Sequence, residues 1–295
     1  MINGYKTTKK NAYGKIGVLF LTAIYKIIVT FATASLQHQQ QTYMKFIAII
    51  PARYASTRFP GKPLALLGGE PVIQRVYEQA VSVLGEAYVA TDDERILQAV
   101  NDFGGRAVMT RSDHQSGTDR IEEAVEKIGT QADVIINIQG DEPFVQPSQI
   151  ETLCRLFDMP DTQIGTLGKP FESMEAVMNP NSPKIVCDVN GFALYFSRSA
   201  IPFVRGVESG LWLERFPFLK HLGLYAYRRE VLHEITRLPQ SPLEKAESLE
   251  QLRWLQNGYR VRVGTTDVET VGIDTPDDLA RAEAFLAGRS TTGRE

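Results

Sequence analysis

The chain has 295 residues, 43% of them hydrophobic, with 32 basic against 35 acidic side chains and a formal net charge of −3. That composition supplies a full apolar core for one large domain or two small ones, and the absence of any long basic run argues against a nucleic-acid partner. The two cysteines, Cys154 and Cys187, come with no CxxC, HExxH or Cys/His cluster to hold zinc, and read as ordinary buried thiols in a reducing compartment.

The first 43 residues stand apart. Ile16 to Leu36 is largely apolar but broken by Thr22, Lys26, Thr30 and Thr33. A secretory signal or a membrane anchor is one reading, since basic residues precede the apolar stretch; a folded element is another. The preferred reading is a start codon placed upstream of the true one, because Met44 stands directly before a clean buried strand. The expected organisation is an extension over 1–43, a single folded domain over 44–287 with no membrane partner, and a short tail over 288–295.

From Met44 onward, short apolar runs alternate with amphipathic stretches, the pattern of strands and crossover helices in an α/β sheet. The alternation predicts strands near Phe46–Ile50, Ala87–Ala90, Ala107–Met109 and Val134–Ile138, with helices following near Pro71–Leu84, Glu94–Phe103, Thr118–Ile128 and Pro147–Phe157. The second half changes character. Lys184–Asp188 and Phe192–Phe196 flank Asn190-Gly191, a hairpin signature, so antiparallel strands join the sheet. A strand over Leu222–Tyr227, helices over Arg229–Thr236 and Leu243–Gln256, a strand over Tyr259–Thr265 and a helix after Pro276 complete the pattern.

Chemistry-bearing residues gather at the predicted strand ends, where open α/β sheets bind ligands. The first strand runs into Pro51-Ala52-Arg53-Tyr54-Ala55-Ser56-Thr57-Arg58-Phe59-Pro60-Gly61-Lys62-Pro63, whose Arg53, Arg58 and Lys62 can meet a triphosphate; a solvated cationic loop explains them too. The fourth strand ends in Gln139-Gly140-Asp141-Glu142-Pro143. A carboxylate there suits Mg²⁺, which needs a second acid from elsewhere. Asp274, in Gly272-Ile273-Asp274-Thr275-Pro276-Asp277-Asp278, supplies one, although Thr275 or Asp274 can equally cap the helix opening at Pro276. Asp277 and Asp278 read as complements of that helix's dipole. In Arg111-Ser112-Asp113-His114-Gln115-Ser116-Gly117, donors for a base and an ordinary N-cap fit equally well, and Asp92-Asp93 reads first as a cap.

Taken in order, Pro-Ala-Arg-Tyr-Ala-Ser-Thr-Arg-Phe-Pro-Gly-Lys-Pro, Ala-Thr-Asp-Asp, Thr-Arg-Ser-Asp-His-Gln-Ser-Gly-Thr-Asp-Arg and Gln-Gly-Asp-Glu-Pro resemble the CMP-Kdo synthetases (3-deoxy-manno-octulosonate cytidylyltransferases). The likeness continues through Asn179-Pro180-Asn181, Ala193 to Arg198, His221 to Arg228, Pro242-Leu243-Glu244, Leu249 to Arg253 and Asp274-Thr275-Pro276, and so spans Met44 to about Ala287. The resemblance implies a Rossmann-like, three-layer nucleotide-diphospho-sugar transferase fold with a mixed, mainly parallel sheet. It also implies a cytoplasmic homodimer that uses Mg²⁺, CTP and Kdo in lipopolysaccharide biosynthesis. Arg53 and Lys62 become triphosphate contacts, and Arg111, Ser116, Gly117 and Gln139 face cytosine and ribose. Asp141 with Asp274 becomes the metal pair, and His221, Tyr225, Glu250 and Gln251 face the sugar acid. A cytidylyltransferase for another sugar acid, such as a sialic acid, is the second reading; a catalytically inactive paralogue is the third.

Overall fold

The computed structural model describes residues 44–269 and 272–292; the extension over 1–43, with every reading of it, lies outside the described residues. One compact unit begins at Lys45. Its centre is β1 (Phe46–Ala52), in which Ile47, Ile49 and Ile50 are fully buried. Strands covered on both faces need such unbroken apolar runs, and each of these side chains contributes about 1.5–3 kcal/mol when removed from water.

Around β1 the sheet is parallel. On one side lie β4 (Ala87–Thr91) and β5 (Ala107–Met109); on the other lies β6 (Val134–Asn137). The small hairpin of β2 (Leu66–Leu67) and β3 (Glu70–Pro71) stands apart from this sheet. Beyond β6 comes the long antiparallel strand β10 (Leu219–Arg228), then β7 (Ile164–Pro170) and β11 (Val261–Thr265). The hairpin of β8 (Lys184–Cys187) and β9 (Ala193–Ser197) hangs from β10, with Gly191 at φ 79 in the expected turn.

Helices cover both faces. Helix α1 (Val72–Leu84) packs beside α4 (Pro147–Leu156), whereas α3 (Gly117–Ile128) packs beside α6 (Arg229–Ile235); α2 (Glu94–Asp102) lies against β4 and β5. This is the mixed sheet that the pattern predicts, in the three-layer, mainly parallel form that the resemblance implies.

Four features differ from the sequence reading. Strand β7 carries two glycines and a terminal proline, which mask its strand character; a Cβ on Gly165 would stand 3.1 Å from Leu156 and 3.2 Å from the Phe157 ring, so either side chain would have to shift to admit one. Helix α5 (Met174–Met178) is too short for its periodicity to stand out. The single helix predicted over Leu243–Gln256 is two, α7 (Pro242–Glu247) and α8 (Gln251–Gln256), because Ser248 adopts a left-handed φ of 51 that no α-helix accommodates. Finally, α9 (Pro276–Thr292) runs through most of the expected tail over 288–295.

Candidate active site

Because β1 and β6 are adjacent and parallel, the segments leaving them emerge at the same edge of the sheet. They approach so closely that a Cβ on Gly140 would sit 2.9 Å from the Pro51 carbonyl, a backbone atom that cannot yield. Gly61 turns the first loop back with φ 72, its amide donating to the Tyr54 carbonyl at 2.9 Å. Arg95 stacks 3.3 Å over the Tyr54 ring and is itself forked onto Asp93, so α2 braces this loop from outside.

The result is a cleft of about 340 Å³. Arg53, Arg58 and Lys62 from the first loop line it, together with Ser116 and Gly117 at the start of α3, Gln139 and Asp141 after β6, and Asp274 before α9. Lys62 Nζ lies 2.5 Å from Asp141 Oδ2 and 3.2 Å from Asp274 Oδ1, and Arg58 reaches Asp274 Oδ2 at 3.0 Å. Two carboxylates from distant parts of the chain thus converge on one cation. Asp274 is not the helix cap: Thr275 and Asp278 cap α9 reciprocally, with Asp278 Oδ2 accepting from the Asp274 and Thr275 amides. That leaves the Asp274 carboxylate free to face the cleft.

Ser116 does two jobs. Its hydroxyl accepts from the Asp119 amide in a capping box, and the same residue lines the cleft at the positive end of α3. Arg111 does not join it. This exposed side chain pairs with Asp113 at 3.3 Å and Glu123 at 3.6 Å, over a neighbouring depression. Glu123 is anchored by Lys127, the Arg111 amide and His114, contacts that overcome the cost of its burial and hold it at about 2. Arg111 is thus held over these two local anions, outside the lining of the cleft.

The remaining candidates lie behind α3 rather than in the cleft. His221 packs between the rings of Phe196 and Tyr225, with centroids at 5.1 and 5.3 Å, and burial pushes its imidazole down to about 3. Thr166 donates to the Leu224 carbonyl, so its oxygen accepts from His221 Nε2, placing the proton of a neutral ring on that nitrogen. Glu250 lies in the connection between α7 and α8, not within a continuous helix, and accepts from Thr118 Oγ1 at 2.8 Å. Gln251 is 4% exposed. Among the described residues, Gln251 Nε2, Trp254 Nε1 and the Tyr225 hydroxyl are buried with no hydrogen-bond partner. Such unpaired groups are costly and gather where a ligand or water supplies the missing partner.

A cytidylyltransferase family model matches residues 47–263. The 3-deoxy-manno-octulosonate cytidylyltransferase of Phocaeicola vulgatus is 65% identical over 249 residues, covering 83% of this chain and 99% of that protein. The chain belongs to the 3-deoxy-manno-octulosonate cytidylyltransferases. The Bacteroides thetaiotaomicron member of this family is 63% identical, covering 84% of this chain and all of its own length. A solved CMP:2-keto-3-deoxy-manno-octonic acid synthetase complexed with CTP is 45% identical and superposes with a TM-score of 0.77, covering 83% of this chain and 99% of that one. The 4-diphosphocytidyl-2C-methyl-D-erythritol synthase of Anaerococcus prevotii, 14% identical with a TM-score of 0.54 over 82% of this chain and 99% of its own, shares the fold.

In this cytidylyltransferase the cleft also recruits residues that the motif reading left without a role. His114 and Gln115 line it from the loop before Ser116. Arg120 lines it as well, but its guanidinium is committed to Asp92 at 2.8 Å and Thr110 at 2.6 Å. Asp93 is the N-cap of α2, as its position before Glu94 suggests. Glu142, beside Asp141, is pushed up to about 8 by burial and by the Asp141 charge, so it stands neutral next to the cleft's carboxylates. The thiols of Cys154 and Cys187 are pushed up to about 11 by burial, which makes them poor nucleophiles.

Proposed function

We propose that the chain is a Mg²⁺-dependent enzyme transferring CMP from CTP to the anomeric hydroxyl of 3-deoxy-D-manno-octulosonate, giving CMP-Kdo and pyrophosphate. The observation that carries this reading is the convergence of Asp141 and Asp274 on the Lys62 ammonium, inside a cationic cleft at the strand ends. Two carboxylates that already share one cation fit a hard divalent ion, whose ligands are oxygen atoms. Mg²⁺ bound there would neutralise phosphate charge and favour the ionised form of the attacking hydroxyl.

The rest of the reaction falls to the chain's own residues. Arg53 and Lys62 hold the β- and γ-phosphates and stabilise pyrophosphate as it leaves. Ser116, Gly117 and Gln139 orient the nucleoside. The sugar's anomeric oxygen forms a bond to the α-phosphorus, the bond from that phosphorus to the pyrophosphate oxygen breaks, and the hydroxyl proton is released. No covalent enzyme intermediate is required, so positioning and charge neutralisation supply the rate. His221, Tyr225, Glu250 and Gln251 receive the sugar acid, and the unpartnered atoms around them are available to its hydroxyls.

The enzyme works in the cytoplasm as a homodimer on the path to lipopolysaccharide. No helix among the described residues is long and apolar enough to cross a membrane. Phe203, packed on Trp212 yet 73% exposed, and Leu211, 45% exposed, offer apolar area for a second copy to cover. Alanine at His221 or glutamine at Glu250 tests the site assignment: Kdo use should collapse while calorimetric CTP affinity stays near that of the native enzyme. Parallel loss of both, or of neither, would remove these residues from the acceptor site.

A further inference from the structure

We infer that Thr118 is a positioning residue, whose hydroxyl fixes the Glu250 carboxylate and ties the helix lining the nucleotide cleft to the wall that receives the sugar acid. The inference rests on the reading of Glu250 as an acceptor-site residue and extends it to a side chain that touches neither substrate.

Thr118 follows Gly117, the first residue of α3, and is 3% exposed. It faces away from the cleft that Gly117 lines. Its Oγ1 donates to Glu250 Oε2 at 2.8 Å, bridging residues 132 positions apart. The other Glu250 oxygen accepts from Arg253 at 3.4 Å, and Arg253 is itself forked onto Glu244 at 3.0 and 2.8 Å, with a further bond to the Leu238 carbonyl. Thr118 and Arg253 thus hold one Glu250 oxygen each, and the lone pairs beyond these contacts and that of Ser116 are open to a ligand.

A chain of donors runs inward from the nucleotide side to β10. Gln139, which lines the cleft, donates to Asn137 Oδ1 at 2.9 Å, and Asn137 donates to the Tyr227 hydroxyl at 3.5 Å. Burial raises the Glu250 carboxyl above its ordinary value; the Thr118 bond, then the Arg253 charge and the Ser116 hydroxyl, pull against that, while Asp119 on α3 adds to the rise. Tyr225 and Tyr227 of β10 face the same group and are held neutral by burial, with the Glu250 charge adding to the effect.

Removing the Thr118 hydroxyl deprives the carboxylate of its best-placed donor while leaving Arg253 and the nucleotide contacts in place. The experiment compares Thr118→Val, Thr118→Ala, Thr118→Ser and Glu250→Gln in the full chain by steady-state kinetics with Kdo, calorimetry with CTP, and the pH dependence of kcat/KM for Kdo. Thr118→Val and Thr118→Ala are each expected to lower kcat/KM for Kdo on the order of 10-fold, mostly through KM, the scale of one hydrogen bond to a charged group. CTP affinity should stay within about 2-fold, and Thr118→Ser should restore activity. The acid limb of the profile should move to higher pH in the valine and alanine variants, because Glu250 then protonates more readily. Native-like Kdo kinetics in both, alongside a crippled Glu250→Gln, overturn the role of Thr118 alone. Equal loss of CTP affinity also overturns it, by showing a role in the nucleotide helix. Native-like Kdo use by Glu250→Gln overturns the acceptor reading and this inference with it.

Discussion

Asp141 and Asp274 meet on a single ammonium: Lys62 Nζ lies 2.5 Å from one carboxylate and 3.2 Å from the other. The lysine neutralises a pair of anions that would otherwise repel, and in the proposed reaction it would turn toward phosphate when a divalent ion takes the carboxylates. Asp141→Asn and Asp274→Asn should each lower turnover on the order of 100-fold or more with the fold retained. Turnover against Mg²⁺ concentration, with circular dichroism as the fold control, reads the outcome. Near-normal turnover of Asp274→Asn at saturating Mg²⁺ would remove Asp274 from the site.

His221 gives the protein an acid-side liability. Its imidazole titrates near 6.5 when the chain is unfolded and near 3 when folded, so between those values the unfolded chain binds more protons. Stability therefore rises with pH across that window and falls as pH drops from about 6.5 toward 3, by at most about 1.4 kcal/mol per pH unit from this group. Urea denaturation at pH 7, 6 and 5 should show a shallower decline for His221→Gln than for the native chain. Parallel curves would contradict the burial of this ring.

The fork between Arg253 and Glu244 is buried, with side chains 7% and 8% exposed. Arg253→Met leaves Glu244 charged and unpaired, and about 3–5 kcal/mol of stability should be lost. Adding Glu244→Gln should recover much of that stability without restoring Kdo use, since Glu250 would still lack its cationic neighbour. Full recovery of both in the double variant would show that Arg253 serves the fold alone.

How much of this was legible in the sequence varies with how each element is encoded. Strand β1, the βα units after it and the Asn190-Gly191 turn follow from periodicity and turn chemistry. Strand β7 does not, because Gly165 answers to the packing of Leu156 and Phe157 rather than to strand propensity. The break at Ser248 is invisible to an amphipathic pattern that continues on both sides of it. In the site, the first loop and Asp141 advertise themselves by charge at strand ends. Asp274 needed the fold to bring it to Lys62, and Arg111, read as a base contact, is held aside by Asp113 and Glu123. The link from Thr118 to Glu250 spans 132 positions and has no local signature.

The compact unit begins at Lys45, and the family match begins at residue 47. A chain starting at Met44 should therefore fold and retain the activity of the full-length protein within about 2-fold. Loss of soluble, active protein on that truncation would show that residues 1–43 belong to the functional unit.

The most direct test of the central claim is pyrophosphate release by the purified full-length chain, measured with CTP, Mg²⁺ and a panel of sugar acids that includes Kdo and a sialic acid. Release should require CTP, Kdo and Mg²⁺ together, yield CMP-Kdo in equal amount, and vanish on chelation of the metal. Equal or greater turnover with the sialic acid, release that persists in EDTA, or no release with any sugar acid would contradict the account.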